Sequence, residues 1–282
     1  MTISVLTLVK NRAGHLDNLV EGLIRSGQQP DELVIVDMSD IPVTVVSTPF
    51  PSRVVRLETT DLPLAQARNL AARHASGDHL LFLDVDCIPM ADLVRAMDSA
   101  LSHQDALICA EVRYLGPDAV LASWTEPELM RSSQPHPARS FPATGLRKED
   151  NAGLFWSLTF GLHQTTFARL GGFDERFTGY GAEDTDFGFR SRDSLTPLMF
   201  MGGAGAFHQH HDVYDPPLQH FEDILRNAGV FHQKWGVWPM TGWLAAFESM
   251  GLIQRDLEQI NRLRSPTLEE VKSAARDDSS PF

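Results

Sequence analysis

Two aspartates, Asp84 and Asp86, flank Val85 directly after the apolar run HLLFL. A turn at the end of a buried strand can aim both carboxylates, or one carboxylate and a water, at a single hard cation. Oxygen ligands suit Mg2+ or Mn2+. Such an ion would bridge two phosphate oxygens and neutralise charge growing on a departing diphosphate. A lone D-x-D is common on solvated loops. This one is tethered between a core strand and Cys87-Ile88-Pro89, which favours a metal site.

A second group lies in GYGAEDTDF, where Tyr180 sits between Gly179 and Gly181 and is followed by Glu183, Asp184 and Asp186. Carboxylates at a helix start often serve as caps. Glycines that admit φ > 0 and close backbone approach, set around a tyrosine, fit a site better than a plain cap. A carboxylate here can take the proton of an attacking hydroxyl. One such base suffices when a metal stabilises the leaving group, whereas hydrolases flank the bond with two carboxylates. A helix N-terminus would keep the base ionised and burial would raise its pKa.

The third group is FHQHH. In a strand, His208 and His210 would share one side with His211 on the other. His208 closes the strand and is the preferred metal ligand; His210 or His211 would touch acceptor or phosphate. Asp37 ends the strand-like ELVIVD, either as a ligand for a ribose hydroxyl or as a turn cap. Arg68, beside Asn69 on an Ala-rich helix, is either an anion ligand or a surface arginine.

These groups need a frame. Ile3–Val9 reads as a strand, and Leu16, Leu19, Val20, Leu23 and Ile24 form one helical face. Glu32–Asp37 is a second buried strand, so the sheet is parallel with a right-handed crossover. The pattern repeats: strand 53–57, helix 64–75, strand His79–Leu83, a helix through Leu93, Val94, Met97 and Leu101, and strand 106–112. Ligands gather at the carboxyl ends of such strands, where Asp37 and the Asp84/Asp86 pair stand. Residues 131–150 show no burying period and read as a loop that could order over a donor. A strand at 204–208 and a helix at 217–234 follow. The run KWGVWPMTGW is expected to pack a helix, or else to stack sugars or touch a membrane surface. The end, from about residue 273, reads as frayed.

The 282 residues carry a net charge of −13, which excludes a general nucleic-acid binder. Two cysteines, Cys87 and Cys109, are too few for a disulfide framework. No apolar run nears the ~20 residues of a membrane span, and no secretion signal is visible, so a cytoplasmic protein is expected.

The words TLVKNR, VIVDMSD, AQARNLAARHASGDHLLFLDVDC and GGFDERFTGYGAEDTDFGFR resemble the family 2 glycosyltransferases. The resemblance runs from Ile3 to about His211 and implies a GT-A fold, a Rossmann-like α/β unit. Its second half is similar to the β-1,4-galactosyltransferase and chondroitin-polymerase branch. Carried over, nucleotide contacts fall on Thr7, Asn11, Arg12, Asp37 and Arg68, and metal ligands on Asp86 and His208. Asp84 then holds the ribose or a metal-bound water, Asp184 is the base, and Glu183 a sugar ligand. Tyr180 stands where the branch has Trp, which leaves both sugars undefined.

The expectation is therefore a nucleotide-sugar part at 1–112, an acceptor part of the same domain at 113–250, and a helical, flexible tail at 251–282. The reaction expected is metal-dependent inverting transfer of a hexose or N-acetylhexosamine from a UDP-sugar, with GDP the alternative nucleotide. The acceptor is a hydroxyl on a glycan, lipid or small molecule. The rivals are a sugar nucleotidyltransferase, which would want a Gly- and Lys-rich phosphate loop that Lys10-Asn11-Arg12 is not, and a non-catalytic sugar-binding module.

Overall fold

The computed structural model of the chain describes residues 1–120 and 123–276. Strands β1 (Ile3–Val9), β2 (Glu32–Asp37) and β4 (His79–Leu83) are buried along their whole length, as strands covered on both faces must be. β3 (Ser52–Arg56) lies at the edge and is largely exposed. β5 (Cys87–Pro89), β6 (Leu107–Leu115), β9 (Thr159–His163) and β10 (Leu198–His208) extend the sheet in the order β3-β2-β1-β4-β9-β6-β10-β5. β3, β2, β1 and β4 are parallel, as are β6 and β10; β9 and β5 run antiparallel to their neighbours.

Helices cover both faces. On one side α1 (Ala13–Ile24) and α3 (Leu93–His103) bury Leu16, Leu19, Leu23, Val94 and Met97 against Ile3, Val5, Val9 and Ile35. On the other, α2 (Leu64–His74), α5 (Gln164–Leu170) and α6 (Glu183–Asp193) bury Ala67, Ala71, Phe167 and Phe187 against Leu6, Leu8, Val34 and Phe82. The alternation of β1 thus feeds two cores from one strand. The expected α/β architecture with a mostly parallel sheet is what the chain adopts.

The expected loop at 131–150 holds more order than its sequence suggests. After α4 (Glu126–Ser132), closed by the Thr125/Glu128 capping box, β7 (Ser133–Pro135) pairs with β6 and β8 (Gly145–Glu149) pairs with β10. Both are short and mostly exposed, so tertiary pairing makes them strands with no apolar pattern to announce it. The expected strand at 204–208 is the end of the longer β10, which shifts register between Met201 and Gly205. Gly205 is required there, because a Cβ would lie 2.0 Å from the Glu111 carbonyl oxygen.

Beyond the sheet, α7 (Phe221–Trp235) and α8 (Thr241–Ser249) form a separate cluster around Phe221, Ile224, Leu244 and Phe247. The stretch read as a helical tail instead holds a hairpin of β11 (Ile253–Arg255) and β12 (Ile260–Arg262), then the short α9 (Leu268–Ser273). Leu252, Ile253 and Ala274 join the α7–α8 cluster. The fraying expected from about residue 273 is not seen at 273–276, where Ala275 bridges to Tyr214 and the Arg276 N–H donates to the Val213 carbonyl at 2.8 Å; residues from 277 onward lie outside the described residues. Among the described residues no helix is long and apolar enough to cross a membrane.

Candidate active site

Strand β5 is three residues long and carries no sequence signal, yet it assembles the site. Its antiparallel pairing with β10 sets His208 opposite Cys87 and Phe207 opposite Ile88. The Gln209 N–H then donates to the Asp86 carbonyl at 2.7 Å. In this way the acidic turn after β4 and the histidines after β10 meet. Asp86, His208 and His211 each offer one ligand atom, and those atoms lie within 4.8 Å of one another. One carboxylate oxygen with two imidazole nitrogens suits Mn2+ better than Mg2+, which prefers an all-oxygen shell.

His211 departs from the strand geometry expected of it. β10 ends at His208, so alternation stops there and His211 turns back to face Asp86, its Nε2 3.6 Å from Oδ2. His208 is 9% exposed and its ring stacks on Tyr114 at 4.9 Å. Burial holds His208 down at about 4, against the pull of Asp86, so the imidazole is neutral and free to ligate. Burial, then Arg12, lowers His211 as well. Asp84 is not in the three-residue group: its Oδ1 accepts from the Val85 N–H at 3.2 Å. Burial first and the Asp86 charge second raise Asp84 to about 6.

Both oxygens of Asp86 are engaged. Arg12 pairs with Oδ2, and His15 Nδ1 reaches Oδ1 at 2.5 Å. Burial alone would raise this carboxyl; the His15 hydrogen bond and the Arg12 charge outweigh it and hold Asp86 near about 2. His15 escaped the sequence reading. No local signal points to it, because the partner that gives it a role, Asp86, lies 71 residues further along the chain.

The opposite wall comes from α6. Gly179 and Gly181 have φ of +71° and +97°, and a Cβ on Gly179 would sit 2.1 Å from Asp223, so the turn before the helix must be glycine. Asp184 accepts from the Thr185 N–H at 2.6 Å. Burial, and then the neighbouring Glu183 charge, raise it to about 7. Glu183 accepts from Arg68 Nη1 at 3.0 Å; both side chains are buried, and the guanidinium also lies 5.1 Å over Phe173. Arg68 is therefore neither a surface arginine nor an open anion ligand. Asn69 beside it donates to the Phe173 carbonyl and accepts the Phe173 N–H, fixing the Gly171-Gly172 turn. Tyr180 stacks on His220 at 4.3 Å and meets Trp243 at 5.8 Å. Burial, then the charges of Glu183, Asp184 and Asp84, hold its phenol above the ordinary range.

Thr7 and Asp37 are enclosed by the fold, each with 0% exposure. Thr7 lies inside β1 and its side chain presents no surface to a ligand. Asp37 accepts from the Ser39 and Val43 N–H groups and pairs with Arg56 at 3.0 Å, which makes it the cap of its own turn. Asn11, at φ 57°, is exposed and bonds reciprocally with Asp40. The tryptophan run divides: Trp235 donates to Asp186 and Trp238 stacks on His232, both packing, while Trp243 alone reaches Tyr180.

Residues 4–167 match the family described as glycosyl transferase family 2, and residues 140–210 match the N-terminal domain of galactosyltransferase. The validoxylamine A glucosyltransferase of Streptomyces hygroscopicus subsp. jinggangensis is 53% identical over 44 residues, 16% of this chain and 10% of that protein. An uncharacterized glycosyltransferase of Haemophilus influenzae is 37% identical over 86 residues, 30% of this chain and 29% of that protein. The structure of GalNAc-T7 with UDP, GalNAc and Mn2+ is similar with a TM-score of 0.57 at 16% identity, covering 74% of this chain and 43% of that one. S. aureus TarS 1-349 in complex with UDP-GlcNAc gives 0.55 at 14%, covering 81% and 66%. The matches thus span about a tenth of the first curated relatives and under half of GalNAc-T7.

Proposed function

The chain belongs to glycosyl transferase family 2 and is a glycosyltransferase, and from that premise we propose that it moves a hexose or N-acetylhexosamine from a UDP-sugar to a hydroxyl acceptor, with inversion and with a divalent metal. The observation that carries this reading is the meeting of Asp86, His208 and His211, one carboxylate and two imidazoles whose ligand atoms lie within 4.8 Å of one another. The solved neighbours crystallised with UDP, UDP-GlcNAc or Mn2+ support the choice of nucleotide and ion.

In this reading Asp86, His208 and His211 would hold the ion, which would supply charge stabilisation for a leaving diphosphate. Asp184 accepts the acceptor hydroxyl's proton as the oxygen attacks the anomeric carbon; a carboxyl lifted to about 7 is a stronger base than a solvated one once ionised. Glu183, paired with Arg68 at 3.0 Å, stands beside it on the same helix turn. Arg12, paired with Asp86 and partly exposed, would serve as the phosphate contact in this reading.

A panel of nucleotide sugars with Mn2+, read as nucleoside diphosphate released by slow hydrolysis, tests the proposal. UDP release from one sugar is the expected result. Release of pyrophosphate would identify nucleotidyl transfer instead.

A further inference from the structure

A closed ring of hydrogen bonds joins Asp86 to His15 and to Gln209, the residue that follows His208. His15 Nδ1 contacts Asp86 Oδ1 at 2.5 Å. The Asp86 carbonyl accepts from the Gln209 N–H at 2.7 Å. Gln209 Nε2 then donates to the His15 carbonyl at 3.0 Å, which closes the cycle. Gln209 is 2% exposed and lies in sequence between His208 and His211. Its remaining acceptor, Oε1, takes a bond from Asn18 Nδ2 at 2.8 Å, and Asn18 Oδ1 accepts from Trp124 Nε1 at 3.1 Å.

We infer that His15 and Gln209 are positioning residues for this site: His15 fixes the Asp86 carboxylate by one oxygen so that the other faces His208 and His211, and Gln209 holds the imidazole-bearing segment against it. The inference rests on the metal reading above. The geometry separates the two oxygens. Oδ1 is held by His15, while Oδ2 is the one that His211 approaches, at 3.6 Å. Since a carboxylate only accepts, Nδ1 of His15 is the protonated nitrogen. Arg12 also touches Oδ2 and must yield that oxygen to an ion, whereas His15 need not move. Outer-shell bonds of this kind set the orientation of ligating carboxylates and imidazoles, and their loss weakens metal binding by roughly 10–100-fold.

The test is Mn2+ titration of the full chain, with and without UDP, followed by the electron paramagnetic resonance signal of free Mn2+. Asp86→Ala is the control, and melting temperature reports on folding. His15→Ala should bind Mn2+ roughly 10–100-fold more weakly. His15→Asn, whose amide N–H can occupy the Nδ1 position, should recover most of that loss. Gln209→Leu cuts the ring at a different bond, should weaken binding comparably, and serves where His15→Ala does not fold. Wild-type binding left within twofold by both ring-cutting variants overturns the inference and leaves the metal reading intact. So does a loss that His15→Asn does not rescue, which would mark a packing effect. A wild-type chain that takes up no Mn2+ with or without UDP removes the metal reading and this inference together.

Discussion

Arg68 and Glu183 meet at 3.0 Å with side chains only 5% and 7% exposed, and their contact ties α2 to the helix that carries Asp184. Leaving one charge buried without its partner costs about 3–5 kcal/mol. Arg68→Met should lose stability of that order in urea unfolding. Arg68→Met combined with Glu183→Leu should regain most of it while remaining inactive. A single variant as stable as wild type would show that the pair is solvated.

Asp184→Asn should slow transfer by about 10²–10⁴-fold and also change stability in a pH-dependent way. A carboxyl raised to about 7 stabilises the fold while protonated, and that contribution fades as pH climbs from the unfolded value near 3.8 through about 7. Asn does not titrate. The melting temperature of Asp184→Asn relative to wild type should therefore rise between pH 4 and pH 8. A constant difference across that window would deny the raised pKa.

The same group should shape the rate. Below about pH 7, kcat/KM of the wild type should fall close to tenfold per pH unit as the base becomes protonated. The residual activity of Asp184→Asn, about 10²–10⁴-fold lower, should lack that limb. An identical limb in the variant would assign it to another residue.

Chelation should silence the enzyme, and Mn2+ should restore it better than Mg2+ because two of the three donors are imidazoles. His211→Ala and Asp86→Ala should both lose this response. Full activity in EDTA after dialysis would refute the metal.

Gly179→Ala should fold poorly or lose the base's position. It forces a Cβ at φ +71° to within 2.1 Å of the Asp223 carboxylate, and strain of that kind costs on the order of 1–3 kcal/mol. Thermal melting of Gly179→Ala beside Gly229→Ala, where no neighbour lies within 4 Å, separates the clash from the loss of a glycine.

Continuous apolar runs made β1, β2 and β4 legible in the sequence, because parallel strands buried on both faces have few other compositions. The placement of Asp86 and His208 at strand ends and of Asp184 at a helix start after a glycine-flanked turn was legible, whereas the loop that brings His211 to Asp86 was not. β7 and β8 were not, since edge strands borrow their order from β6 and β10. His15 was hidden for a different reason: its role depends on a partner 71 residues away, and local spacing carries no trace of that. Asp37 shows the limit from the other side. A carboxylate at a strand end is equally suited to a ligand and to its own turn, and it is the folded turn that brings the Ser39 and Val43 N–H groups onto it.

The β5–β10 pairing has a consequence for biosynthesis. A nascent chain that has emerged only as far as Pro89 already displays the aspartates, but the imidazoles that complete the nest are still to be translated. An ion held by all three side chains could therefore find its full ligand set only after β10 has been made.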